Sequence, residues 1–418
     1  MAGKQDSKMP LETDIVIVGG GPVGLAAACC LSGSGLQVIL IDAGQQTQTT
    51  AKFEKHIGKP DFDSRVSALT VASEKLLDSM GAWALIKELR SCPYRDMQVW
   101  DGEGTGAIHF SAADIHENTL GHIVENRLIT AALLEQAQTF NGLTILNEKE
   151  VEQIDLQLDR DKPVQLKLTD GSLINATLLV GADGAHSLVR DQSGFTLRQW
   201  DYGHEAIVTT VKTENPHQFT AWQRFMQTGP LAFLPLFLPG KEDSEQCYSS
   251  IVWSCVTERA DVLKTLDDEG FKHALGAAFE FRLGDILETG PRISFPLWQR
   301  HATDYVQNHI VLIGDAAHTI HPLAGQGVNL GFADVQVLSE VISAALDKGE
   351  AYASHQVLSR YQRRRKGLNM GMMAAMEGFK RLFATEDLTL KWLRNTGLNL
   401  TDKAPLIKQQ IMRQAMGL

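Results

Sequence analysis

Three glycine-bearing turns hold the residues best suited to chemistry. The first, Gly19-x-Gly21-x-x-Gly24, lies within DIVIVGGGPVGLAAACCLSGSGLQVILID. This spacing suits a dinucleotide: the first glycine permits a tight turn, the second lets a pyrophosphate approach the backbone, and the third lets helix and strand pack closely. The phosphate would meet the free N–H groups at a helix start. Asp42 follows Gly24 by 18 residues, near the ~20 at which a carboxylate accepts a ribose hydroxyl. A carboxylate there repels a 2′-phosphate, which leaves FAD or NAD as the ligand. The second turn is Gly181-Ala-Asp183-Gly184 and the third is Gly314-Asp315-Ala-Ala-His318, continuing through Pro322-Leu-Ala-Gly325-Gln-Gly327-Val328-Asn329. Asp315, at a strand end, can accept a hydrogen bond from a flavin ribityl hydroxyl. Gly325 and Gly327 let the backbone approach a flat ring, and a helix beginning near Asn329 would aim its positive end at the N1–C2=O edge.

These turns need a scaffold that brings them together. Residues 15–18 and 38–41 read as strands buried on both faces, joined by an Ala-rich helix from Pro22 to Leu31 that Gly33 and Gly35 end. Residues 178–180 and 310–313 read as further strands running into their turns, so one parallel sheet is predicted from distant segments. Residues 200–300 are richer in aromatic and β-branched residues with turn-like insertions, which predicts a mostly antiparallel domain inserted in the first. Beyond Gly331 the chain reads as helical. The expected division is a cofactor domain from 14–96, 121–196 and 301–345, a substrate domain from 97–120 and 197–300, and a helical region from 346–418.

Composition narrows the classes. The 418 residues are 44% hydrophobic and 21% charged, as in an ordinary globular protein. With 39 basic and 50 acidic side chains the net charge is −11, against a nucleic-acid binder. The most apolar stretch, residues 231–239, falls short of the ~18 positions that span a bilayer. Residues 1–13 are polar, and the five cysteines form no CxxC pair, so they read as free thiols in a reducing cytoplasm. Asp315-x-x-His318-x-x-His321 imitates an iron site, but the glycine pattern accounts for Asp315 without metal, and none is expected. No P-loop or GxSxG elbow occurs.

Taken in order, GxGxxG, Gly181-Ala-Asp183-Gly184-x-x-Ser187-x-x-Arg190 and Gly314-Asp315 resemble the single-component FAD-dependent aromatic hydroxylases over nearly the whole chain. Within that family the sequence is most similar to the ubiquinone-biosynthesis hydroxylases of the 2-octaprenylphenol type, through His122-Ile-Val-Glu-Asn126, Gln98-Val-Trp-Asp, Trp200-Asp-Tyr, Leu231-Ala-Phe-Leu-Pro235 and the run from His318 to Asn329. The resemblance implies an α/β fold of the para-hydroxybenzoate hydroxylase kind: a Rossmann-like FAD-binding domain, an inserted antiparallel substrate sheet and C-terminal helices. It implies flavin and transient nicotinamide binding at Asp183 and Gly184 with Arg190 in support, flavin contact at Arg65, and a place near the cofactor for Asn126. It also implies an adenine contact at Val151, with Asp42 standing where relatives usually carry Glu. Pro322 is the implied closest approach to the reacting centre, with His321 beside it facing flavin or substrate.

The implied reaction uses NADH or NADPH and O₂ to hydroxylate a prenylated phenol through a flavin C4a-hydroperoxide. A prenyl tail asks for an apolar pocket, for which Phe233, Pro235, Trp253, Phe295 and Leu297 are candidates; ordinary sheet core is their other reading. Residues 380–418 carry seven basic and three acidic side chains. An amphipathic basic surface there would suit a biosynthetic complex or peripheral contact at the inner face of the membrane; a helix packed on its own domain is the alternative. A homo-oligomer is also open. Competing activities are an FAD dehydrogenase or oxidase without oxygen insertion, a hydroxylase of a soluble phenol, and a flavin-bound assembly subunit.

Overall fold

The computed structural model describes residues 9–44, 50, 53, 58–156, 164–319, 327–384 and 387–417. Five strands form the parallel part of the first sheet: β1 (Leu11–Val18), β2 (Val38–Asp42), β3 (Leu143–Asn147), β4 (Leu173–Gly181) and β5 (Ile310–Leu312), in the order β5-β4-β1-β2-β3. Ile15, Val16, Ile17, Leu178, Leu179 and Val180 are fully buried, as continuous apolar runs require when both faces of a sheet are covered. Helix α1 (Pro22–Ser32) joins β1 to β2 and buries Leu25, Leu31 and its alanines. Proline opens it where the N–H needs no partner, and Gly33 ends it.

The register matters most for function. Val18 pairs with Gly181, and Gly181 with Leu312, so β1, β4 and β5 end level. Their turns therefore leave the carboxyl edge side by side, although the strands lie far apart in sequence. At such an edge an open α/β sheet binds its ligand.

The second sheet has nine strands among the described residues. Its pairings are antiparallel except that of Asp96–Asp101 with Thr220–Met226, which joins the two chain segments of this sheet. Alternation along the strands sorts the side chains onto two faces. One face, with Phe233, Ile251 and Trp253, packs under the helices Thr257–Thr265 and Asp268–Ala278 through Phe271 and Phe279. The opposite face carries Ala232, Leu234 and Leu236 against Ala68 and Ile123 of the three-stranded sheet Val66–Leu69, Cys92–Tyr94 and Gly121–Glu125.

Four helices close the chain: α2 (Gly327–Asp347), α3 (His355–Ala384), α4 (Leu388–Asp402) and α5 (Pro405–Met416). Asn395, Asn399 and Asp402 lie on one face of α4 and accept the N–H groups of Gly106, Ala107 and His109 at 2.5, 3.2 and 3.1 Å. They cover the open edge of the strand Ala107–Ser111, whose unpaired donors would otherwise invite another chain. The buried Arg394–Asp101 pair, 2.5 Å apart, fixes α4 in place. All five cysteines are free thiols.

Candidate active site

The three glycines of the first turn have different reasons to be glycine. Gly19 has φ +110°, and a Cβ on it would lie 2.4 Å from the Ala182 carbonyl oxygen. At Gly24 a Cβ would lie 1.8 Å from the carbonyl oxygen of Gly19. Both are packing constraints. A Cβ on Gly21 meets no protein atom within 4 Å, so that position opens outward as a cradle. Gly21 begins α1 with no side-chain cap, which leaves the first-turn N–H groups for an anion. Asp42 accepts the N–H of Gly20 at 2.5 Å and of Gly44 at 2.8 Å, and each carboxylate oxygen keeps a lone pair for a ribose hydroxyl. Lys149 donates its N–H to the Asp42 carbonyl at 3.0 Å, bringing the segment before Val151 alongside. This donor set fits a dinucleotide without a 2′-phosphate.

The second and third turns are stitched together by Arg190, which is 3% exposed. Its Nη1 donates to the carbonyls of Ala185 at 3.1 Å and Ala316 at 3.3 Å, one from each turn. Asp183 accepts Ser187 Oγ at 2.5 Å and the Val189 N–H at 3.0 Å. One carboxylate oxygen takes a first-turn N–H of the short helix Leu188–Gln192 and the other holds its N-cap Ser187, so the side chain shapes the turn, and Gly184, half-buried at φ +80°, has open space where a Cβ would stand. Asp315 is solvent-exposed at the carboxyl edge of the sheet, with protein packed close around it. Desolvation holds its carboxyl above the usual carboxylate range, while His318, Arg65 and Arg300 pull the other way.

Beneath Asp315 lies a buried polar cluster that sequence reasoning missed. Asp334 of α2 is fully buried; it accepts the Gly314 N–H at 3.0 Å, lies 2.6 Å from His318 Nε2, and accepts Arg365 Nε at 2.7 Å. Burial alone would raise its pKa, but His318 and Arg365 hold it below the usual range. Arg365 also donates to Asn369 Oδ1 at 2.9 Å. The Tyr305 hydroxyl joins through Asn369 and stands 2.9 Å from His301 Nε2. Burial, with His318 close by, lowers His301 to about 4, so it is neutral at pH 7. The cluster ties the Gly314–Asp315 turn to α2 and α3. Its one signal in sequence was an aspartate at an apolar position of an amphipathic helix.

A second missed hub is Glu125, 2% exposed, which accepts Arg90 Nε at 2.8 Å and the Asp63 N–H at 2.5 Å. Arg90 donates in turn to the carbonyls of Lys59 and Asp61 at 2.9 and 2.8 Å. Together they pin the loop that presents Arg65, which is exposed and within electrostatic reach of Asp315.

Other expected residues fall as follows. Asn329 donates to the Ala68 carbonyl at 2.7 Å and accepts from the Thr70 N–H and Ser73 Oγ at 3.1 and 2.7 Å, so its side chain clasps α2 to the residue 68–73 segment. Gly327 is open and Val328 packs partly on the core. Asn126 accepts Ser67 Oγ at 2.6 Å, so its amide oxygen is also engaged by protein. Val151 is 8% exposed, its side chain packed in the core around the parallel sheet. His321, Pro322 and Gly325 lie outside the described residues. Of the pocket candidates, Phe233 and Trp253 are corrected: both sit on the helix-covered face, Phe233 stacked on Phe279 with centroids 3.8 Å apart. Pro235, two residues beyond Phe233, shares that face and is buried. A two-residue repeat decides which face a strand residue takes, and neither aromatic character nor composition reports its phase. Leu297 lies on the opposite face with Tyr202 and Ala206, and Phe295, 38% exposed, shares it.

A family profile described as an FAD binding domain matches residues 12–376. The chain is 37% identical to the 3-demethoxyubiquinol 3-hydroxylase of Escherichia coli (strain K12), covering 97% of this chain and 99% of that one. It is also 37% identical to the ubiquinone biosynthesis monooxygenase COQ6, mitochondrial, of Xenopus tropicalis, over 96% of this chain and 93% of the relative. Among solved structures, p-nitrophenol 4-monooxygenase PnpA from Pseudomonas putida DLL-E4 superposes with a TM-score of 0.75 at 18% identity, covering 98% of this chain and 99% of that chain. PqsL of Pseudomonas aeruginosa gives 0.73 at 18% identity over 93% of this chain and 100% of the other. These two share the fold: an FAD-binding α/β domain carrying a mixed second sheet and C-terminal helices.

Proposed function

The chain belongs to the FAD-dependent monooxygenases of the ubiquinone-biosynthesis type, and we propose that it uses NADH or NADPH and O₂ to hydroxylate the ring of a polyprenylated phenol. The observation that supports this reading is the level ending of β1, β4 and β5, which brings three cofactor-type turns side by side, as one shared ligand would require. Bound FAD would supply the reduction by nicotinamide and the activation of oxygen that no side chain provides.

The residues have distinct tasks under this reading. The uncapped start of α1 and Gly21 hold the pyrophosphate, Gly19 and Gly24 keep that turn closed, and Asp42 takes the adenosine ribose. Asp315 accepts a ribityl hydroxyl. The start of α2, at Gly327 and Val328, offers N–H groups and a positive dipole end to the pyrimidine edge of the ring, where charge grows on reduction. Gly184 leaves room for the nicotinamide, and Arg65, within electrostatic reach of Asp315, would contact the flavin. Phe295, 38% exposed and backed by the buried Leu297 and Ala206, would give the substrate ring an apolar contact. Substrates of the kind named for the bacterial relative, with a lipid-soluble tail, fit such a contact. No helix among the described residues is long and apolar enough to cross a membrane.

The test is lipid extraction from a deletion strain, with mass identification of the quinone precursor that accumulates. The expected precursor is a prenylated phenol lacking one hydroxyl, relieved by the wild-type gene but not by Gly21→Ala. An unchanged quinone pool would sink the reading. Restoration by a variant that carries no FAD would point to an assembly role instead.

A further inference from the structure

We propose that the Gln223 carboxamide binds the phenol hydroxyl of the substrate ring, which makes Gln223 a specificity-determining residue. The proposal rests on the reading above, which supplies the phenol. Gln223 lies in the strand Thr220–Met226, where Ala221, Gln223 and Phe225 share one face and Trp222 and Arg224 take the other. The second set is engaged elsewhere. Trp222 packs on the helix-covered core, and Arg224 donates to the carbonyls of Ala278 and Gly102 and pairs with Glu280.

The first set looks toward the three-stranded sheet. Gln223 stands opposite Ala232 on one neighbouring strand and Val99 on the other. Ala221 and Ala232 pack in one cluster with Ala68 and Ile123. The Ala68 carbonyl in turn accepts the side chain of Asn329, two residues after the start of α2. The face that carries Gln223 thus meets the segment tied to the proposed flavin edge. Phe225 extends that face, stacked on Phe383 of α3 with centroids 4.3 Å apart.

In this apolar setting the amide is an anomaly. Gln223 is 5% exposed, yet its side chain has no hydrogen-bond partner among the described residues. The other buried glutamines are satisfied. Gln246 accepts the Leu238 N–H and donates to the Leu238 and Lys241 carbonyls, and Gln299 accepts the Tyr202 hydroxyl. A buried amide without a partner destabilises the empty site, and a ligand oxygen that reaches it recovers the loss. The amide offers one donor group and one acceptor and no charge. A phenol hydroxyl, itself donor and acceptor, matches it, whereas an ionised ring substituent would lack a countercharge on this strand face.

The test pairs a change in the protein with a change in the ligand. The FAD-loaded protein is titrated with 2-geranylphenol and with geranylbenzene, which lacks the hydroxyl, and the flavin absorbance change gives a Kd for each. The parent should bind the phenol about fivefold or more tightly than the hydrocarbon. Gln223→Leu should keep its FAD and bind the two ligands about equally. Gln223→Met, which keeps the unbranched shape, should do the same and serves if the Leu variant folds poorly. A variant that retains the parent's preference for the phenol would overturn the proposal. So would an equal loss of affinity for both ligands, which would assign Gln223 to packing alone, or a parent that does not distinguish them. None of these readouts uses turnover. A parent that binds the phenol through Gln223 without hydroxylating it would keep this proposal and lose the previous one. A parent that hydroxylates the phenol, with its preference untouched in both variants, would do the opposite.

Discussion

The carboxyl edge of the parallel sheet and the antiparallel sheet beside it use their residues in different ways. At the edge, what a residue does follows from its immediate chain neighbours. Gly24 must be glycine because the backbone of its own turn, at Gly19, occupies the space of a side chain. In the antiparallel sheet, what a residue does depends on which of two faces it takes. Phe233 and Leu234 are adjacent in sequence, yet one packs under the outer helices and the other toward the cofactor domain and α5. Chemistry is written locally in the first region and by alternation in the second.

The contrast can be broken most severely at the first turn. Gly24→Val should prevent folding of the cofactor domain, because the new Cβ meets a backbone oxygen that cannot move aside. Gly21→Ala should fold with an unchanged apo melting temperature but lose FAD, since only a ligand would contest the added methyl group. Flavin absorbance and thermal melts on the two purified variants separate the effects. Equal losses of stability in both would show that Gly21 serves packing and has no part in a cradle.

Phe233→Ala tests the second region. With its ring stacked on Phe279 in a closed core, truncation should cost about 3–5 kcal/mol of stability by denaturant unfolding while leaving KM for the phenol unchanged. Phe295→Ala, on the other face and 38% exposed, should do the reverse and raise KM several-fold at a smaller stability cost. A large KM change in the Phe233 variant would mean that the faces have been assigned the wrong way round.

Between these regions lies the cluster that neither local motif nor alternation announced. Asp334→Asn should destabilise the protein by about 3 kcal/mol, because Arg365 stays buried without its countercharge. The aspartate's lowered pKa gives stability that is present in full above the unfolded value, about 3.9, and fades as pH falls through it toward the folded value. The parent should therefore lose stability more steeply below about pH 4 than the Asn variant, as urea unfolding across pH would record. Parallel acid limbs would show that the ion pairs with His318 and Arg365 contribute nothing.

How much was legible follows the same division. The strand–turn–helix start, the placement of distant turns at one sheet edge and the second sheet could all be read, because glycine spacing and apolar runs report directly on backbone geometry. The carboxylate of Asp183 also has a structural task that its motif does not announce, holding Ser187 Oγ and the Val189 N–H at the start of the helix that follows. Asn126 and Asn329 were placed near the cofactor, but their amides bind Ser67, Ala68 and Ser73, contacts that join segments more than fifty residues apart. Asp334 and Glu125 went unread for a related reason. Each is a buried carboxylate whose partners come from other elements, and no spacing rule reaches across that separation.

The smallest effect probes whether Asp315 is kept for its ligand at a cost to the empty fold. Its carboxyl is raised above the usual range, so the native state resists ionising it, and the penalty applies in full once pH exceeds the folded value. As pH falls toward the unfolded value near 3.9, the penalty disappears. Asp315→Asn should accordingly raise the apo melting temperature at pH 7, by only about 1–2 °C because the carboxyl keeps some accessible surface and water screens it. The gain should vanish near pH 4, while FAD binds more weakly at every pH because an amide is a poorer acceptor for a ribityl hydroxyl than a carboxylate. An apo melting temperature that falls at pH 7 would mean that Asp315 is tied to Arg65 or Arg300 as a structural ion pair, and the local rule drawn for the carboxyl edge would fail at its third turn.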